Sequence, residues 1–159
     1  MTISIVMPVY NGIGFIEKSL PPLSKMLNDS EVIELIVIDD GSSDDSMALA
    51  KEFGAKVLES GGRKGPGAAR NIAVEQAKGE IVWFVDADVV VRSDALIELK
   101  KGFDNEEVVA VLVHTMIALQ PRTFYLSIKI WSTIIIISKR AGMLQPFGQG
   151  VERSGERCF

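Results

Sequence analysis

The chain has 159 residues, 47% of them hydrophobic and 24% charged, with a net charge of −4 and a pI near 5.1. That is enough chain for one domain with its own core, too apolar for a disordered segment, and too acidic for general nucleic-acid binding, which favours a basic face. Cys158 is the only cysteine, so no intramolecular disulfide can form, and strand-like residues begin at Ile3 with no basic or long apolar leader before them; both features fit a reducing, cytoplasmic location.

Ile3 to Met7 reads as a first strand, and Pro8-Val9-Tyr10-Asn11-Gly12 as the loop that ends it. Its proline and glycine shape a turn whose backbone can reach a ligand, and Tyr10 is suited to lie beside a base. Gly12-Ile13-Gly14 does not extend to a dinucleotide fingerprint, because position 17 is Glu. Phe15 to Leu27 has helical spacing, with Ile16, Leu20, Leu23 and Leu27 on one face, and Pro21-Pro22 predicts a kink or break within it. Ile33 to Ile38 reads as a second strand ending in Asp39-Asp40. Gly41-Ser42-Ser43 then turns the chain, a serine caps the helix running to Phe53, and Asp44 and Asp45 lie near its positive end. Ala55 to Leu58 is a short third strand, followed by the glycine-rich, basic loop Ser60-Gly61-Gly62-Arg63-Lys64-Gly65-Pro66-Gly67.

Ala68 to Lys78 is predicted helical, closed by Gly79 as a left-handed terminator. Ile81 to Val85 is a fully apolar strand, Ser93 to Lys101 a serine-capped helix stopped by Gly102, and Val108 to Val113 another strand. Strands alternating with helices predict an α/β fold, a mostly parallel sheet with helices on both faces. Phe124 to Ser138 stands apart, with Trp131, the run Ile134-Ile135-Ile136-Ile137 and then Lys139-Arg140. Its 15 residues, interrupted by Lys129, fall short of the roughly 20 that span a bilayer. It reads as a buried helix, as a strand given its β-branched content, or as an interfacial helix making membrane-surface contact through 124–140.

Chemistry concentrates where apolar strands end. Asp86-Ala87-Asp88 follows Ile81 to Val85 directly. Two hard oxygen ligands at the carboxyl end of a buried strand suit Mg²⁺ or Mn²⁺ bridging a diphosphate. Asp39 ends the second strand, where a carboxylate can accept a base N–H or a ribose hydroxyl. In Gly65-Pro66-Gly67-Ala68-Ala69-Arg70-Asn71, small residues let the backbone approach a ligand and Arg70 offers a planar donor fork at a helix N-terminus. His114 is the only histidine, makes no metal site by itself and reads as structural. No G-x-S-x-G is present.

Together, Ser4-Ile5-Val6-Met7-Pro8-Val9-Tyr10-Asn11, Val37-Ile38-Asp39-Asp40-Gly41-Ser42-Ser43-Asp44, Gly67-Ala68-Ala69-Arg70-Asn71 and Val85-Asp86-Ala87-Asp88 resemble the family 2 glycosyltransferases, whose GT-A fold is Rossmann-like and binds nucleotide-sugars. The resemblance covers roughly residues 2 to 100. It implies a UDP- or GDP-sugar donor, Mn²⁺ or Mg²⁺, a saccharide or lipid-linked acceptor and a role in cell-envelope polysaccharide synthesis. It implies nucleotide-sugar contacts from Pro8, Tyr10, Asp39, Arg70 and Asp86, and metal ligation by Asp88, with Asp86 assisting. It further implies one incomplete domain, with residues 1–100 as the donor half and 101–159 as part of an acceptor side. No acid after Asp94 sits in a recognisable base motif, so the catalytic base is unidentified and the C-terminal part reads as missing. Peripheral attachment at the inner face of the membrane is also expected. Two alternatives remain: a nucleotide-sugar-binding fragment that transfers nothing, and a haloacid-dehalogenase-type phosphatase, since Val82 to Val91 fits that signature with Asp86 as nucleophile and Asp88 as general acid.

Overall fold

The computed structural model describes residues 1–104, 110–115 and 132–138, the last two stretches as backbone strands. Four strands lie parallel: β1 (Ile3–Val9), β2 (Val32–Asp39), β3 (Lys56–Glu59) and β4 (Ile81–Phe84). With β5 (Ala110–Thr115) and β6 (Ser132–Ser138) they form one sheet in the order β3-β2-β1-β4-β6-β5. β6 runs antiparallel to both β4 and β5. The sheet is therefore mostly parallel near the first strand and mixed at its far side.

Alternation along β1 explains the layers. Ile3, Ile5, Met7 and Val9 point into one core with Ile16, Leu20 and Leu23 of α1 (Ile13–Met26), Ala50 of α2 (Ser46–Glu52), and Leu96 and Leu99 of α4 (Ala95–Gly102). Val6 points the other way, with Ile36, Ile38, Val82 and Phe84, against α3 (Pro66–Gln76). Ala69, Ala73 and Ala77 recur every fourth residue there, so α3 seats close to the sheet. Trp83 is fully buried in the first core, and burying a side chain of that size stabilises by roughly 2–3 kcal/mol.

Several local expectations change. α1 runs unbroken through Pro21 and Pro22. The carbonyls of Glu17 and Lys18, which lose their helical donors, belong to exposed residues where water can serve them. Serines do not cap α2 or α4. α2 starts after Asp45, with Asp44 Oδ1 accepting the Ser46 N–H at 3.1 Å, and α4 starts after Asp94. Gly79 is not a left-handed helix terminator. It is needed for close approach: a Cβ there would stand 2.5 Å from the Ser4 nitrogen and 2.8 Å from the Ile3 carbonyl carbon. Its N–H instead donates to Ser4 Oγ at 2.8 Å, and Ser4 Oγ donates to Glu34 Oε1 at 2.7 Å.

The apolar segment resolves in favour of the strand for Ser132–Ser138, which is hydrogen-bonded on both sides inside the sheet. Four consecutive β-branched residues suit that pleated, two-sided position better than a surface helix. Phe124 to Trp131, Lys139-Arg140 and Cys158 lie outside the described residues. Among the described residues no helix is long and apolar enough to cross a membrane.

Candidate functional site

The strand order places a topological switch at β1. The chain moves outward from β1 through β2 to β3, then returns to lay β4 on the other side of β1. In open α/β sheets the crevice beyond the carboxyl ends of strands at such a switch is where ligands bind. Every site residue read from the sequence lies at that end. Pro8 and Tyr10 end β1, and Asp39 pairs in register with Val9. The β1–β4 ladder continues to a Val85 N–H to Val6 carbonyl bond of 2.9 Å, which delivers Asp86 directly into the crevice.

Arg70, on the second turn of α3, reaches across to Asp86, and its guanidinium donates to Asp86 Oδ1 in an ion pair. Both side chains keep some solvent contact, so the pair orients more than it stabilises. Arg70 Nε is buried and has no hydrogen-bond partner. Asp88 is exposed, and its carboxylate makes no hydrogen bond or ion pair with any described residue. Mg²⁺ and Mn²⁺ take oxygen donors in octahedral geometry, keep several waters, and are held by one or two carboxylates plus substrate phosphates. The free carboxylate of Asp88 and the second oxygen of Asp86 fit that donor set. Among the described residues no group of three or more His, Cys, Asp or Glu forms a protein-only cage.

The other wall is a laced pair of loops. Asp39 Oδ1 accepts the Ser42 N–H at 2.7 Å, which fixes the turn, and its other oxygen makes no hydrogen bond with a described residue. Asn11 sits in the left-handed region at φ 46°, a conformation asparagine tolerates because its short side chain bonds locally. Its Oδ1 accepts the Ser43 N–H at 2.7 Å, and its own N–H donates to Ser42 Oγ at 3.0 Å. The Gly12 and Ile13 N–H groups that open α1 donate to Ser46 Oγ at 3.0 Å and to Asp44 Oδ2 at 3.1 Å. Burial pushes the Asp44 carboxyl up, but the hydrogen bonds it accepts from Ser46 and Ile13 outweigh that and hold it below the usual carboxylate value.

Three residues take roles that the sequence did not assign them, among them Asp40, which the sequence aims at the crevice together with Asp39. Asp40, only 5% exposed, accepts Ser60 Oγ–H at 2.7 Å, the Lys64 N–H at 2.9 Å and the Gly65 N–H at 2.8 Å. Burial raises its carboxyl, yet the bonds from Ser60, Lys64 and Gly65 and the nearby Arg63 charge bring it below the usual value. Ser60 is the second contributor, buried as the partner of Asp40. The third is Arg63, whose guanidinium lies over the Tyr10 ring at 4.4 Å from its centroid. The signal for Asp40 was its place one residue past a buried strand. Nothing in the spacing of Arg63 and Tyr10, 53 positions apart, announces that they meet. His114 pairs in register with Thr133 on β6, toward the same end of the sheet.

A mostly parallel sheet with helices on both faces, carrying its acidic loops at the β1 switch, defines the GT-A class of fold. The chain belongs to glycosyl transferase family 2, whose profile matches residues 4–156. It is 40% identical over 106 residues to a poly(ribitol-phosphate) beta-glucosyltransferase of Bacillus spizizenii, covering 61% of this chain and 16% of that protein. Staphylococcus aureus TarS 1-349 in complex with UDP-GlcNAc superposes with a TM-score of 0.66 at 30% identity, over 80% of this chain and 38% of that one. Glucosyl-3-phosphoglycerate synthase from Mycobacterium tuberculosis, with Mn²⁺, UDP and glucosyl-3-phosphoglycerate, superposes with a TM-score of 0.62 at 30% identity, over 69% and 42%. The chain spans well under half the length of these relatives. These likenesses do not favour the phosphatase alternative.

Proposed function

We propose that the chain is the donor-binding half of a glycosyltransferase that takes a nucleotide-diphospho-sugar, UDP-linked in first preference, and passes the sugar to a saccharide or lipid-linked acceptor of the cell envelope. The observation that carries the reading is the convergence of Asp39, the Arg70–Asp86 pair and the unpartnered Asp88 at the carboxyl ends of β2, β4 and the switch strand β1. Two structural relatives hold UDP or a UDP-sugar, and one holds Mn²⁺.

In this reading Pro8 and Tyr10 shape the base pocket, and the uncommitted oxygen of Asp39 accepts a base N–H or ribose hydroxyl. Arg70 holds Asp86 in place and turns its remaining N–H groups toward the donor. Asp88, with Asp86 beside it, holds Mn²⁺ or Mg²⁺. The bound ion supplies positive charge to the departing nucleoside diphosphate. Residues 1–100 form the donor half, and 101–159 begin the acceptor side. Contact of the residues flanking β6, 124–131 and 139–140, with the inner face of the membrane belongs to the same proposal, and flotation with anionic liposomes tests it.

Isothermal titration of the folded chain with UDP and GDP, with and without Mn²⁺, tests the main reading. Metal-dependent binding of one nucleotide is expected. Failure of both to bind in a folded sample rejects it. Nucleotide binding without transfer or donor hydrolysis instead favours the binding-only alternative.

A further inference from the structure

The strap between β3 and α3 has no role in the reading above, although the fold invests a buried carboxylate in holding it. Asp40 fastens it at Ser60, Lys64 and Gly65. Gly61, Gly62 and Gly65 have φ of 80°, 111° and 87°, a region side-chain-bearing residues rarely adopt, so the strap's path is written for glycine. A Cβ on Gly41 would lie 3.7 Å from the Arg63 backbone nitrogen, so the strap runs along the Asp39–Gly41 turn at the mouth of the crevice. The side chains it presents between its glycines are those of Arg63 and Lys64, both exposed.

The charges at that mouth are unbalanced. Asp39, Asp86 and Asp88 surround the crevice, and Arg70 is already committed to Asp86. Neither Arg63 nor Lys64 forms an ion pair with a described residue; Arg63 lies over the Tyr10 ring, with its charge also felt by the buried Asp40. An exposed cation–π contact is among the weaker non-covalent contacts, whereas a guanidinium on a phosphate forms charge-assisted, often bidentate hydrogen bonds. A polyanion entering this acidic crevice therefore meets a cation parked nearby on a contact it can easily leave.

Resting on the nucleotide-binding reading, we infer that Arg63 is a positioning residue for the nucleoside diphosphate: the Asp40-pinned strap stores its guanidinium on Tyr10 and yields it to the phosphates when nucleotide binds. Tyr10 is then freed to face the base. The contact acts through charge, not through stacking on the base, and it sets how tightly the diphosphate is held.

The test is calorimetric titration of the 159-residue chain with UDP and Mn²⁺ at low and high ionic strength, comparing wild type with Arg63→Ala, Arg63→Lys and Arg63→Gln, and with GDP in parallel. Arg63 is exposed, so matched thermal melts are expected to show all variants folded. Arg63→Ala weakens UDP binding about tenfold at low salt, the scale of one solvent-exposed charge-assisted bond, and the gap narrows at high salt. Arg63→Lys, which keeps the charge, retains affinity within about threefold, while Arg63→Gln, which keeps a planar group without charge, behaves like Arg63→Ala. If wild type binds but Arg63→Ala binds equally well, or if Gln restores binding and Lys does not, the inference is overturned while the nucleotide reading stands. If wild type binds neither nucleotide, both fall.

Discussion

Asp40→Asn puts the structural account to its hardest test, because asparagine fills the same space. In the wild-type fold Asp40 accepts three hydrogen bonds, from Ser60 Oγ at 2.7 Å and from the Lys64 and Gly65 N–H groups at 2.9 and 2.8 Å. Hydrogen bonds to a charged group are worth about 1.5–3 kcal/mol each, neutral ones about 1. Asparagine keeps Oδ1 facing Ser60 and Lys64 at neutral strength, but sets an amide donor against the Gly65 N–H. One bond is lost and two are weakened. Lys64 and Gly65 retain some access to water, which recovers part of the loss. The expected cost is about 2–4 kcal/mol, a large share of the roughly 5–15 kcal/mol that holds a domain together. Urea unfolding followed by far-UV circular dichroism reads this cost, and hydrogen exchange of the Ser60–Gly65 peptide reads release of the strap. The pH dependence has a definite sign. The folded carboxyl titrates below its ordinary value of 3.8, so its stabilisation is complete above that value and is lost as pH falls through the lower folded value. The gap between wild type and Asp40→Asn therefore closes in acid. A midpoint within about 0.5 kcal/mol of wild type at neutral pH, with unchanged exchange in the strap, would refute the assignment of Asp40 as its anchor.

Gly79→Ala forces a methyl group against the backbone of β1, 2.5 Å from the Ser4 nitrogen, and disturbs the Gly79 N–H to Ser4 Oγ bond; a loss of about 2–4 kcal/mol is expected by urea denaturation, net of the small gain from a stiffer unfolded chain. Lys100→Met removes the bridge from α4 to Asp29 at 2.9 Å and Glu31 at 2.5 Å, but these side chains are about a third exposed, so the cost is only about 0.5–1 kcal/mol. Hydrogen bonds to Glu31 and Asp29 raise the Lys100 pKa above 10.5, so this contribution persists below that pH and fades as pH rises through the folded value; the Glu31 N–H, then Lys100, lower Asp29 below 3.8, so the acid side fades only below that value. Asp88→Asn abolishes the Mn²⁺-dependent increment in UDP affinity without moving the urea midpoint, because Asp88 is exposed and supports no described residue. An unchanged increment removes Asp88 from the metal site.

What the sequence made legible follows from the range of the physics involved. The parallel strands and their order in the chain were readable because each is a short apolar run whose period and flanking turns are local properties. The positions of Asp39 and Asp86 were readable for the same reason: an apolar strand aims whatever follows it. Local rules misjudged places where a distant partner decided the outcome. Gly79 resembled a helix terminator until β1 came within a methyl group's reach of it. The run around Ile134 to Ile137 admitted a helix until β4 and β5 supplied hydrogen-bonding edges on both sides. Asp39 and Asp40 were one acidic pair in the sequence, yet the pleat separates their roles. Asp39 stays half-buried at the crevice, while Asp40 turns inward, is buried, and holds the strap that carries Arg63 to Tyr10. Thus a strand of alternating faces converts two adjacent carboxylates into a ligand-facing group and a structural anchor, and no motif that spans both residues can distinguish them before the fold assigns each its side.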